Sequence, residues 1–204
     1  MLVKICGIKT AGAAKAAMKY GADFLGFNFV PSSKRLVRAS EVKKIISALP
    51  KNNRRVCVGV FMNQTSKDIK TVLAEVRLNM LQFHGKENAK FCSQFGLPYI
   101  KAFGVGKKDT VASLSKKMAK YKAKYFLLDR KNRGRGEIVD LNKVRQLAKK
   151  FPVMLSGGLT PENVKSVISR SGHIVAVDVA GGVEKNGKKS SLMIKGFISK
   201  AKSI

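Results

Sequence analysis

The stretch VMLSGGLTPENVKSVISR (153–170) contains a short apolar run, a pair of glycines and a longer amphipathic segment, in that order. The apolar run predicts a buried β-strand. The amphipathic segment predicts a helix, since Thr160 suits an N-cap and Pro161 suits the first helical turn. We therefore interpret the stretch as a strand, a tight loop and a helix.

The same alternation of strand and helix extends over the whole chain. Strand-like runs appear at LVKIC (2–6), FLGFNF (24–29), VCVGVF (56–61), MLQFH (80–84), YIKAF (99–103), YFLLD (125–129), VMLSG (153–157) and IVAVDV (174–179). The clearest helical patterns lie at 40–49 (with Ser40 suited to its N-cap), 66–76, 140–151 and 160–170, and a last helix is expected at 190–201. Eight such units predict an α/β fold, a (β/α)8 TIM barrel with short loops, and one catalytic domain over residues 1–204. A doubly wound open sheet is the structural alternative.

Composition sets the class of protein. The chain has 204 residues, of which 45% are hydrophobic, so it can bury a sizeable core. No apolar run approaches the ~18 residues of a membrane span, and the first residues lack the pattern of an export signal. The three cysteines, Cys6, Cys57 and Cys92, fit no common metal or disulfide spacing. They predict reduced thiols in a cytoplasmic protein.

The charge of the chain is unusually positive. Lys and Arg total 41 against 12 Asp and Glu, which gives a formal net charge of +29. These basic residues occur on nearly every predicted helix, without a single stripe or an interleaved aromatic set. We expect a solvated basic surface that attracts an anionic substrate, with affinity for nucleic acid as a secondary property.

In a barrel the reactive groups lie at the carboxyl ends of the strands. The polar residues predicted at those ends are Cys6, Asn28, Asn63, His84, Asp129, Ser156 and Asp178. Lys4 shares a strand face with Cys6, and a buried ammonium needs a carboxylate. Because the last strand neighbours the first in a closed barrel, we hypothesise a Lys4–Asp178 pair, which places positive charge beside Cys6 and favours its thiolate.

Each of these residues also has a purely structural interpretation. Cys6 can be a small buried hydrophobe, and His84 can be a hydrogen-bonded structural residue. Asp129 can be a turn residue, or a general acid if its surroundings raise its pKa. Gly134 and Gly136 in the following loop permit a mobile lid.

Glycine pairs follow the last two predicted strands. Gly157 and Gly158 follow the seventh strand, and VDVAGGVE (177–184) contains a second pair after the eighth. These are the ordinal positions at which many barrels bind phosphate through backbone amides. Arg35, in the loop after the second strand, offers the planar fork that binds carboxylates, although it can equally be a solvated charge.

Taken together, these segments resemble the phosphoribosylanthranilate isomerase family. The matching stretches are VKICGI (3–8), GADFLGFNFVPSSKR (21–35), VGVFMN (58–63), LQFHG (81–85), LLD (127–129), LSGGLTPENV (155–164) and VDVAGGVE (177–184). They occur in the family's order along essentially the whole chain.

The resemblance implies an isomerase that carries out an Amadori rearrangement in tryptophan biosynthesis. It converts N-(5′-phosphoribosyl)anthranilate to 1-(2-carboxyphenylamino)-1-deoxyribulose 5-phosphate, without a metal or organic cofactor. The implied roles are general base for Cys6, general acid for Asp129 and anthranilate carboxylate ligand for Arg35. Phosphate is expected at Gly157, Gly158, Ala180 and Gly181, and His84 and Asp178 are further expected substrate contacts.

The chain departs from the family at three places. Ala180 and Gly181 stand where serines are usual, NGKKSS (186–191) lacks a proline and an acidic residue, and Arg133 and Arg135 replace smaller residues. The functional alternatives are another phosphosugar barrel enzyme and a non-catalytic polyanion-binding barrel. Cys6 speaks against a histidine-pathway isomerase, for which a pair of Asp residues is expected. A monomer and a homodimer both remain open.

Overall fold

The computed structural model describes residues 1–50, 56–130 and 138–204. Eight strands form a closed, all-parallel barrel in sequence order. They are β1 (Leu2–Cys6), β2 (Phe24–Asn28), β3 (Val56–Phe61), β4 (Met80–Phe83), β5 (Tyr99–Val105), β6 (Tyr125–Arg130), β7 (Val153–Leu155) and β8 (Ala176–Val179). The predicted (β/α)8 fold is confirmed, and the open-sheet alternative is wrong because β8 pairs with β1.

Eight α-helices follow the strands within the described part of the chain. They are α1 (Ala11–Lys19), α2 (Ala39–Ser47), α3 (Ser66–Glu75), α4 (Ala89–Ser93), α5 (Val111–Met118), α6 (Leu141–Ala148), α7 (Val164–Ser171) and α8 (Ser191–Lys202). A short antiparallel hairpin of β9 (Glu184–Lys185) and β10 (Lys188–Lys189) lies between β8 and α8. None of the described helices is long and apolar enough to cross a membrane.

Two predicted helix starts are wrong. Ser40 lies inside α2, whose N-cap is Arg38, and the Glu41 carboxylate accepts the Arg38 backbone N–H at 2.7 Å. Thr160 and Pro161 precede α7 in a separate turn, because the Asn163 side chain accepts the Thr160 N–H at 2.9 Å. The glycine pair after β7 is therefore followed by this turn rather than directly by the helix.

Two apolar layers hold the barrel together. Its interior contains Phe24, Val58, Met80, Ile100, Ala102, Leu127, Met154 and Ala176. A larger cluster lies between the outer faces of the strands and the helices, and includes Val3 and Ile5 of β1. The period of two along β1 accordingly turns Lys4 and Cys6 to the interior, as the sequence predicted. The predicted lid glycines Gly134 and Gly136, like Arg133 and Arg135, lie outside the described residues.

A buried ion pair fixes the loop after β4 on the outer side of the barrel. Lys101 Nζ donates to Glu87 Oε2 at 2.8 Å and to the Gly85 carbonyl at 2.7 Å. The Glu87 carboxylate also accepts the backbone N–H groups of Asn63 and Gly85. Burial alone would raise the pKa of Glu87, but the hydrogen bonds from Lys101 and Asn63 outweigh it, so this pKa lies below its ordinary value.

We expect Glu87→Gln to lower the free energy of unfolding by about 3 kcal/mol, because it leaves the Lys101 ammonium buried without a carboxylate. The lowered pKa of Glu87 contributes stability above the unfolded value of about 4.3, and this is lost as pH falls through the folded value. Urea unfolding at neutral and acidic pH measures both effects. Glu75→Gln, at an exposed position of α3, is the control and should change stability by less than about 0.5 kcal/mol. Equal stability of the two variants would contradict this account of the pair.

Candidate active site

A buried ion pair joins β1 to β8 across the seam that closes the barrel. Lys4 and Asp178 are register partners, and Lys4 Nζ donates to Asp178 Oδ1 at 2.9 Å. Ser156 Oγ donates to the other carboxylate oxygen at 3.2 Å. The predicted Lys4–Asp178 pair is therefore present. Together with Ser156 it connects the neighbouring ends of β1, β7 and β8.

Cys6 lies directly above this pair at the end of β1. Its side chain packs with Val30 and Val60 and is largely buried. A Cβ atom on Gly26 would lie 2.9 Å from Cys6 Sγ and 3.1 Å from Lys4 Nζ, so both side chains pack against this glycine of β2. Burial strongly opposes the charge on Lys4, but Asp178 and Cys6 together reverse the effect and raise the pKa of Lys4.

Asp129, the last residue but one of β6, lies on another side of the same barrel mouth. Its side chain is 28% exposed, and burial, the largest cause, raises its pKa above the ordinary value. Asp178 adds to this rise, whereas His84 and the Arg130 backbone N–H oppose it. A carboxyl group with a raised pKa can stay protonated closer to neutral pH, as a general acid must.

His84 follows β4 and faces Asp129. Its Nε2 lies 3.8 Å from Asp129 Oδ2, and its Nδ1 lies 3.1 Å from Gln82 Nε2. Gln82 is buried, and its Oε1 is one of two buried side-chain atoms of the described residues without a hydrogen-bond partner, the other being Tyr99 Oη. Gln82 was not among the predicted site residues, although the period of two along β4 puts it on the same face as Met80 and His84.

The two glycine loops lie against each other. Gly157 and Gly158 have φ values of 88° and 73°, a left-handed backbone that favours glycine. A Cβ atom on Gly157 would overlap Asp129 Oδ1, and one on Gly182 would overlap the Leu159 carbonyl. The loops after β7 and β8 therefore form one surface, beside Asp129, with backbone that only glycine permits.

Arg35 reaches this surface from the loop after β2. Its Nε and Nη2 donate to Glu184 Oε1 and Oε2 at 2.7 and 2.6 Å. Lys189 Nζ donates to the same carboxylate at 2.7 Å and to the Ala180 carbonyl at 2.9 Å. Glu184 and Lys189 were not predicted, because they lie in a hairpin too short to show periodicity and Glu184 is 149 residues from Arg35 in sequence.

Two of the polar residues predicted at strand ends use their side chains to hold the backbone of neighbouring loops. Asn28 Oδ1 accepts the Val30 N–H, and Asn63 Oδ1 accepts the Lys86 N–H. The other five, Cys6, His84, Asp129, Ser156 and Asp178, surround the mouth described above. Within the part of the chain that the structure covers, His, Cys, Asp and Glu form no group of three or more suited to a metal ion.

Comparison with known proteins agrees with this arrangement. The family model described as N-(5′-phosphoribosyl)anthranilate (PRA) isomerase matches residues 3–200. The N-(5′-phosphoribosyl)anthranilate isomerase of Dehalococcoides mccartyi is 35% identical over 98% of this chain and 94% of that protein. The enzyme of the same name from Neisseria meningitidis serogroup C is 38% identical over 97% of this chain and 95% of its own.

Solved structures give the same result. Phosphoribosyl anthranilate isomerase from Thermotoga maritima matches with a TM-score of 0.89 and 36% identity, and each chain is covered completely. A complex of phosphoribosyl anthranilate isomerase with reduced 1-(o-carboxyphenylamino)-1-deoxyribulose 5-phosphate matches with a TM-score of 0.86 and 35% identity, again over both whole chains. Fold, motifs and relatives agree, and the chain belongs to the N-(5′-phosphoribosyl)anthranilate isomerase family.

Proposed function

We propose that this chain isomerises N-(5′-phosphoribosyl)anthranilate to 1-(2-carboxyphenylamino)-1-deoxyribulose 5-phosphate in tryptophan biosynthesis. The observation that carries the proposal is that one barrel mouth holds a carboxyl group with a raised pKa, Asp129, and a thiol packed beside a buried ammonium, Cys6. An aldose-to-ketose rearrangement needs such a pair, because one proton is given to the sugar and another is taken from it. Membership of the family selects this substrate among the phosphosugars.

In the first step Asp129 protonates the ring oxygen of the ribose. The C1′–O bond breaks, the nitrogen lone pair forms the C1′=N bond of a protonated Schiff base, and the ring opens. Burial of Asp129 supports this role, since it raises the pKa of the carboxyl group and favours its protonated form.

In the second step Cys6, acting as a thiolate, removes the proton from C2′. The electron pair of the C2′–H bond moves to the Schiff base and gives an enolamine, which tautomerises to the ketone. Lys4 supports the anionic sulfur, because its ammonium is buried, is held by Asp178 and packs against the same glycine as Cys6. The overall change moves protons and electron pairs within one molecule, so the reaction balances without a metal or an organic cofactor.

The two ends of the substrate carry the charges that would orient it. The amides of Gly157 and Gly158 suit the phosphate, because their positive φ values and lack of side chains expose backbone N–H groups. We propose that the amides of Ala180 and Gly181, in the loop after β8, complete this site. Arg35 suits the anthranilate carboxylate. We propose that His84 and Asp178 contact the sugar between these ends.

The remaining expectations are part of the same proposal. Residues 1–204 act as one catalytic domain, as a monomer or a homodimer. The three cysteines are buried and unpaired, which supports a reducing, cytoplasmic location. The excess of positive charge chiefly attracts the anionic substrate, and any affinity for nucleic acid is a secondary property.

The reaction is tested with freshly generated phosphoribosylanthranilate, whose anthranilate fluorescence disappears on conversion. The wild type is expected to turn over, whereas Cys6→Ala and Asp129→Asn should each lower kcat by about a hundredfold or more, since each removes one proton transfer. Cys92→Ala, which removes a buried thiol of α4 from the apolar layer outside the barrel, is the control and should keep kcat near the wild-type value. A folded wild type without turnover, or a Cys6→Ala variant with normal kcat, would contradict the proposal.

The acid role of Asp129 predicts the direction of a pH effect. Activity needs the protonated carboxyl group, so kcat should fall as pH rises through the pKa of Asp129. His84 lowers that pKa, so His84→Gln should move the alkaline limb of the kcat profile to higher pH. A limb that stays in place or moves to lower pH would exclude Asp129 as the group that titrates there.

The basic surface predicts electrostatic steering of the anionic substrate. As sodium chloride rises from about 0.05 to about 0.5 M, kcat/KM should fall severalfold while kcat changes little, because screening weakens long-range attraction. The salt used is a chloride, because sulfate resembles the phosphate of the substrate and would compete for its site. A kcat/KM that is independent of salt would show that the charge of the surface does not assist binding.

A further inference from the structure

A cluster of three charged residues holds the Arg35 side chain. We call this cluster, which consists of Arg35, Glu184 and Lys189, the Arg35 clamp. Glu184 accepts hydrogen bonds from both cations, at 2.6–2.7 Å. The side chains of Glu184 and Lys189 are only 12% and 4% exposed, so the contacts are well shielded from water.

The path of the Arg35 side chain is fixed by two glycines. Gly7 follows β1, and a Cβ atom there would overlap Arg35 Cδ. A Cβ atom on Gly181 would lie only 3.2 Å from Arg35 Nη2. The side chain therefore runs over the end of β1 to the loop after β8, and its guanidinium lies beside the proposed phosphate-binding surface.

The carboxylate of Glu184 occupies one edge of the guanidinium. It accepts from Nε and Nη2, which form the side-on edge. The group has five N–H donors in a rigid plane, so the end-on edge formed by Nη1 and Nη2 is left for a second carboxylate. Glu184 thereby determines both the plane of the guanidinium and the edge that it presents.

Lys189 gives the Arg35 clamp a net positive charge. Arg35 and Glu184 alone would form a neutral pair, with little attraction for another anion. Lys189 adds a second cation to the same carboxylate and leaves the clamp with one net positive charge. Burial by itself would raise the pKa of Glu184, but hydrogen bonds from Arg35 and Lys189 lower it, which keeps the carboxylate ionised.

We propose that Glu184 and Lys189 are positioning residues that present Arg35 to the carboxylate of the substrate and so make the site selective for a carboxylated aromatic amine. The inference rests on the proposed function, because it takes Arg35 as the ligand of that carboxylate. It assigns a role to the hairpin β9–β10, which contains both Glu184 and Lys189.

The test compares two ligands that differ only in the carboxyl group. They are reduced 1-(o-carboxyphenylamino)-1-deoxyribulose 5-phosphate and the same compound with a plain phenyl ring. Their Kd values are measured by calorimetry, and the discrimination is the ratio of Kd for the phenyl compound to Kd for the carboxylated one. Binding is measured without turnover, so the result does not depend on the catalytic roles of Cys6 and Asp129.

The wild type is expected to prefer the carboxylated ligand by at least tenfold. Glu184→Gln and Lys189→Met should each reduce this discrimination by roughly tenfold to hundredfold, or abolish it, with little change in Kd for the phenyl compound. Lys189→Arg should restore most of the discrimination, since it replaces the positive charge. Lys188→Met, at an exposed position on the same hairpin, should leave both Kd values unchanged.

Other outcomes overturn the inference in distinguishable ways. Equal weakening of both ligands in Glu184→Gln and Lys189→Met would show that the clamp only supports the loop structure. A wild type that binds both ligands equally would remove Arg35 as the carboxylate ligand, while turnover by the wild type would still support the isomerase reaction. If Glu184→Gln does not fold, Lys189→Met and its two controls decide the matter.

Discussion

The Lys4–Asp178 ion pair connects the closure of the barrel to the arrangement of charges at its mouth. It lies in the barrel interior, where an ammonium without a carboxylate would be very costly, and it joins the first strand to the last. Ser156 ties a third strand to the same carboxylate. The contact that closes the seam therefore also places positive charge below Cys6.

The charges around the mouth divide into two networks with different consequences. Lys4 and Asp178 neutralise each other, so their effect is local to Cys6 and to Asp129, whose pKa Asp178 helps to raise. The Arg35 clamp lies outside the barrel interior, between the loops after β2 and β8, and carries a net positive charge. The buried pair can thus govern proton transfer, while the clamp can govern which anion enters.

The barrel and the ion pair at its seam could be predicted from the sequence, because they depend on repeated patterns and on the order of the strands along the chain. Eight apolar runs predicted the barrel, and the inward position of Lys4 on the strand next to β8 predicted its partner, Asp178. The clamp was not predictable in this way, since Arg35 and Glu184 are 149 residues apart and both lie outside the barrel strands. The start of α7 was missed because Thr160, Pro161 and Asn163 all suit the start of a helix, and the Asn163 side chain closes a separate turn at Thr160 before the helix begins. Tertiary contacts between loops leave no pattern in a single sequence.

A crystal structure of this protein with reduced 1-(o-carboxyphenylamino)-1-deoxyribulose 5-phosphate would test the catalytic and binding roles together. We expect the phosphate on the amides of Gly157, Gly158 and Gly181, and the carboxylate on the end-on edge of Arg35. Cys6 Sγ should face C2′, with Asp129 near the oxygen that derives from the ribose ring. A ligand bound in the reverse orientation, with its phosphate on Arg35, would contradict the assignment of both loops, and a ligand outside the mouth would contradict the catalytic roles of Cys6 and Asp129.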